Sequence, residues 1–69
     1  MALDKYNEVL PTRLRYLIDQ SGQTQNAVAS AVGVSRQSIS QYCDGSSIPN
    51  ADKLLKIAEF FHVSADYLL

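Results

Sequence analysis

Cysteine and histidine occur once each in these 69 residues, as Cys43 and His62. One cysteine excludes an internal disulfide, and the pair falls short of the usual ligand count for a zinc site. Long apolar runs are missing too. Nothing approaches the ~20 residues needed to span a membrane. The N-terminal MALDKYNEVLP carries early acids and lacks the apolar core of a signal peptide. A soluble cytoplasmic chain is therefore expected. There is no glycine-rich phosphate loop, and one histidine, one cysteine and scattered carboxylates supply no nucleophile, base and orienting group. The expectation is a non-enzymatic protein with no cofactor, no metal and no small-molecule site.

Cations are also scarce. Six lysines and arginines stand against seven acids, for a net charge of −1, and this bulk balance counts mildly against nucleic-acid binding. The acids are unevenly placed, however. They fall at Asp4, Glu8, Asp19, Asp44, Asp52, Glu59 and Asp66, leaving none between Gln20 and Cys43. A surface that approaches phosphates must be free of carboxylates, so the local gap says more than the total.

What the chain does have is 46% hydrophobic residues, ordinary for a globular domain, arranged with helical spacing. Length allows one small domain. PTRLRYLIDQSG opens with Pro11 in a first turn, buries Leu10, Leu14, Leu17 and Ile18, and stops near Gly22. TQNAVASAVG starts at the cap Thr24, turns Val28, Ala29 and Val32 inward, and ends at Gly33. SRQSISQYCDG runs from the cap Ser35 to Gly45. NADKLLKIAEFFH is capped by Asn50 and buries Leu54, Ile57, Ala58 and Phe61. SADYLL is capped by Ser64. These segments predict an all-α bundle of about five short helices over residues 10–69. Residues 1–9 form an N-terminal extension, a loose turn or another short helix.

Helices two and three are joined only by GVS, which is the spacing of a helix-turn-helix. At 100° per residue the third helix, about 36–43, splits into two faces. Ile39 and Tyr42 point inward, while Arg36, Gln37, Ser40 and Gln41 point outward. Arginine pairs with guanine O6 and N7, and glutamine with adenine N6 and N7. A plain solvated face would carry lysine and glutamate instead.

The run TQNAVASAVGVSRQSISQYCDG…IPNADKLLKIAEFFHVSADYLL resembles the Cro/C1-type (XRE-like) helix-turn-helix family of phage and bacterial repressors. The resemblance rests on Thr24-Gln25, Ala29, Gly33-Val34-Ser35, Ile39-Ser40, Gly45, Pro49 and the closing LxxIA and VSxDxL patterns. It implies a lambda-repressor-like bundle with the third helix in the DNA major groove. By that resemblance Arg36, Gln37 and Gln41 reach base edges, and Gln25 meets the sugar-phosphate backbone. Thr24, Ser35, Ser38 and Ser40 are supporting contacts, and Ser46, Ser47 and Asn50 form a second backbone-contact region. Two positions depart from the family pattern. Cys43 replaces a frequent glutamate, and His62 replaces a helix-ending glycine, which forces a left-handed residue or a different turn.

Several of these residues have plainer readings. A polar face can simply meet water, Gln25 can be an ordinary first-turn residue, and Ser46, Ser47 and Asn50 suit any loop or cap. Cys43 reads as a packing residue before a redox switch, and His62 as a helix-terminal residue before a pH sensor. Phe60 is either covered by the last helix or exposed beside Tyr67, Leu68 and Leu69 as a dimer contact.

The expectation is a sequence-specific double-stranded DNA-binding domain of a transcriptional regulator, a repressor, acting as a homodimer on a palindromic operator. The apolar ending DYLL reads as a cut, making this the N-terminal domain of a longer protein. Two alternatives remain open: a helix-turn-helix protein-interaction or scaffold module, and an autoregulator of the antitoxin or restriction-modification controller type.

Overall fold

The computed structural model describes residues 2–69, with side chains from residue 9 onward. Five helices follow one another: α1 (Ala2–Ser21), α2 (Gln25–Val32), α3 (Arg36–Asp44), α4 (Ala51–Phe61) and α5 (Ala65–Leu68). No strand occurs among the described residues, so the all-α class and the five-helix count expected from sequence are what the chain adopts.

Local chemistry explains most of the boundaries. Thr24, Ser35, Asn50 and Ser64 are all N-caps, and each side-chain oxygen accepts the backbone N–H three residues on, at 2.9–3.2 Å. Each cap satisfies a donor that the first turn leaves without a helical partner. Gly33 ends α2 with φ 86°. The Val34 N–H then bonds back to the Ala29 carbonyl at 3.0 Å, closing a Schellman turn.

The first helix differs from the sequence reading. It starts at Ala2, so the extension continues α1 and Pro11 lies inside the helix. Proline's φ is already helical, so an interior proline and a first-turn proline look alike in sequence. The ring of Pro11 is buried, and burial of that ring offsets part of the missing N–H.

Every helix contributes to one core. Leu10 and Leu14 come from α1, Val28, Ala29 and Val32 from α2, and Ile39, Tyr42 and Cys43 from α3. Leu54, Ile57 and Ala58 come from α4, and Leu68 from α5. Helix α1 packs on α3 and α5, α2 on α3 and α4, and α4 on α5. Val34 packs against the core from the turn between α2 and α3, filling the angle at which those helices meet.

His62 ends α4 in the left-handed region, with φ 58° and ψ 41°. It is the only non-glycine residue with positive φ among those described. The Val63 N–H reaches back to the Ala58 carbonyl at 3.0 Å, so the turn takes the form a glycine would give it. A side chain with a Cβ is strained there by roughly 1–2 kcal/mol. His62→Gly is therefore expected to stabilise the domain by about 0.5–1 kcal/mol after glycine's larger unfolded-state entropy is counted. A thermal melt checks this, and a lowered midpoint would contradict it.

Candidate nucleic-acid interface

The turn fixes how α3 is presented. Because Gly33 stops α2 and Ser35 starts α3, only Val34 separates the two caps. Ile39, Tyr42 and Cys43 bind α3 to the core at 0%, 7% and 5% exposure. The opposite face follows from the 100° step. Arg36, Gln37 and Ser40 are exposed, and Gln41 is half-buried.

The expected supporting residues separate into two groups. Thr24, Ser35 and Asn50 spend a side-chain oxygen on their own helices as caps. The Ser35 and Ser38 hydroxyls also hydrogen-bond each other at 3.1 Å. Gln25 is the first residue of α2 and half-buried. Beyond α3, the Ser46 N–H donates to Asp44 Oδ1 at 2.8 Å and the Ser47 N–H to the Gln41 carbonyl at 3.3 Å. These bonds hold the loop carrying Ser46 and Ser47 against the end of α3.

Of the side chains expected to meet a second copy, Leu68 lies wholly inside the chain's own core. Phe60 packs edge-on to Phe61 with ring centroids 4.9 Å apart and is partly buried against the core. Tyr67 is held by Arg13, whose guanidinium lies 4.8 Å from the ring centroid. Arg13 Nη1 also donates to the Tyr67 carbonyl. Sequence reasoning missed this clamp of α5 on α1, because nothing local links residues 54 positions apart. Leu69 is 48% exposed, and Ile48 and Leu55 are further exposed apolar side chains at 44% and 56%.

Cys43 is buried, and burial pushes its thiol above the ordinary value, against the pull of the Arg15 charge. A protonated, covered sulfur is a poor nucleophile. Native protein at pH 7 is expected to resist a disulfide-exchange thiol reagent, with quantitative labelling only in denaturant. Rapid labelling under native conditions would place the thiol outside the core.

Among the described residues there is no cluster of metal ligands, and no helix is long and apolar enough to cross a membrane. The helix-turn-helix family model matches residues 14–68, covering α2 through α5 and the last eight residues of α1. The chain belongs to the helix-turn-helix family of the Cro/C1 type. It is 36% identical over 61 residues to the HTH-type transcriptional regulators for the conjugative elements R391, from Providencia rettgeri, and SXT, from Vibrio cholerae. It is 33% identical over 60 residues to the HTH-type transcriptional regulator ImmR of Bacillus subtilis. These matches cover 88% and 87% of this chain. They cover 28% of each conjugative-element regulator and 47% of ImmR, so this chain spans less than half the length of any of the three. No solved structure gives a significant match.

Proposed function

We propose that this helix-turn-helix domain binds double-stranded DNA sequence-specifically, as part of a cytoplasmic transcriptional repressor, with α3 in the major groove. The observation that carries the reading is the outer face of α3. It is polar and largely exposed, and a core-anchored helix behind a capped turn of one intervening residue holds it rigidly. Arg36 is assigned to a guanine, with Gln37 and Gln41 on neighbouring bases. Gln25, Ser40, Ser46 and Ser47 are placed at the sugar-phosphate backbone, and the capped helix starts at Thr24, Ser35 and Asn50 offer N–H groups there. Its relatives are named as transcriptional regulators, which supports the role in regulation.

Electrostatic affinity is modest on this reading. Lys53 and Lys56 lie 3.8 and 3.6 Å from the Asp52 carboxylate, and Arg13 is committed to Tyr67. Few cations remain to release counterions, so one copy binds weakly and salt affects binding only shallowly. A homodimer on a palindromic operator supplies the rest, its half-sites one helical turn, about 34–36 Å, apart. Leu69 has the greatest exposure of the four side chains expected at that contact.

Selection from a random-sequence duplex pool at near-physiological salt tests the proposal. A two-fold-symmetric motif is the expected result. Failure to enrich any sequence, at low salt and high protein concentration as well, would overturn it in favour of a protein-binding module.

A further inference from the structure

Asp44 is the last residue of α3, and its angular position sets it apart from the other acids. Counting 100° per residue from Arg36, it falls at about 80°, between Ser40 at about 40° and Gln37 at about 100°. Arg36, Ser40 and Asp44 thus form a line with one residue per turn. All three are exposed, so the exposed stripe runs the whole length of the helix. A carboxylate thus lies at the C-terminal end of the face assigned to DNA, between Ser40 and Gln37 in angle.

One carboxyl oxygen is tied to the loop that follows. The Ser46 N–H donates to Oδ1 at 2.8 Å. A carboxylate offers about four acceptor sites, so this one bond leaves capacity to spare. Hydrogen bonding to Ser46, with help from the Arg15 charge, holds the group below the ordinary carboxylate range, so at neutral pH it is an anion and a pure acceptor.

An anion in the major groove has two fates. It repels the phosphates of the groove walls, or it meets a donor. The donors there are the exocyclic amines of adenine and cytosine. The adenine amine sits between two acceptors, its own N7 and the O4 of the paired thymine. The cytosine amine has one acceptor neighbour, guanine O6, and on its other side a C–H edge. Cytosine therefore offers the carboxylate a hydrogen bond with less opposing negative potential.

We propose that Asp44 is a fourth base-reading side chain of α3, accepting a hydrogen bond from the N4 amine of a cytosine about three to four base pairs from the guanine met by Arg36. The separation follows from eight residues at about 1.5 Å rise set against about 3.4 Å per base step. This inference rests on the DNA-binding reading above and adds to it a specificity that the glutamines and arginine cannot supply.

The test is parallel selection from one random duplex pool with the wild-type chain and Asp44→Asn. Asparagine keeps a side-chain oxygen for the Ser46 N–H, and a thermal melt verifies that the variant folds. The wild type is expected to enrich a cytosine at that spacing. The variant should lose it, shift toward adenine at the same position, and bind the wild-type site on the order of 10-fold more weakly. A variant that keeps the same motif and binds all duplexes more tightly would show that the carboxylate only repels phosphate, overturning the inference while leaving the DNA-binding reading intact. A wild-type motif without the cytosine would overturn it as well. A wild type that enriches no motif would bring down both.

Discussion

Ile39→Ala is expected to cost about 2–5 kcal/mol of folding stability, the range for truncating a fully buried aliphatic side chain. Ile39 has 0% exposure and lies at the centre of the inner face of α3. A domain of this length has roughly 3–10 kcal/mol in total, at about 0.05–0.15 kcal/mol per residue. One truncation at this position removes a large share of that, so a substantial unfolded fraction at 37 °C is the anticipated outcome. Ile39→Val, which removes one methylene, should cost about 0.5–1.5 kcal/mol. Urea denaturation of the three proteins checks the ordering. If alanine at this position costs under 1 kcal/mol, α3 is not anchored as described, and its outer face has no fixed orientation.

Arg36→Ala is expected to do the reverse: leave stability nearly unchanged and damage binding. The side chain is exposed, and surface substitutions away from special features fall within about 0.5 kcal/mol. Loss of a bidentate guanine contact costs about 1–3 kcal/mol, a factor of roughly 5–150 in affinity for the preferred site. Preference should relax at one base pair, while the slope of affinity against salt changes by about one ion or less. Fluorescence anisotropy on the enriched duplex, across several salt concentrations, measures both quantities. A uniform loss on all sequences would mean that Arg36 meets a phosphate instead. Taken together, the two substitutions separate the faces of a helix nine residues long: one residue holds it, another reads.

Much of this arrangement is legible in the amino-acid sequence, and the reason is locality. Thr24, Ser35, Asn50 and Ser64 are recognisable as caps because a cap bonds to an N–H three residues away. His62 is legible through the family resemblance instead, which puts a helix-ending glycine at its position and so demands positive φ or a different turn. What escapes is tertiary or ambiguous. Pro11 gives the same signal inside α1 as it would at its start. The fates of Phe60 and Leu68 depend on where α5 docks, and that is set by Arg13 and the surface of α1. In sequence Asp44 marks only the end of an acid-free stretch, because helix ends are uncertain there by one or two residues. Folding puts it inside the last turn of α3, on the outer face. The roles of Arg36, Gln37 and Gln41 rest on a helical wheel and a family resemblance. The fold leaves Arg36 and Gln37 exposed and Gln41 half-buried on a core-anchored helix.

On this reading the outer face of α3 meets DNA. The most direct measurement is a titration of the isotope-labelled chain with its enriched duplex, following backbone amide shifts at near-physiological salt. The largest changes are expected across residues 35–44, with secondary changes at Thr24, Gln25 and residues 46–50, all saturating together. Shifts confined to α5 and the outer face of α4, with residues 35–44 silent, would contradict it.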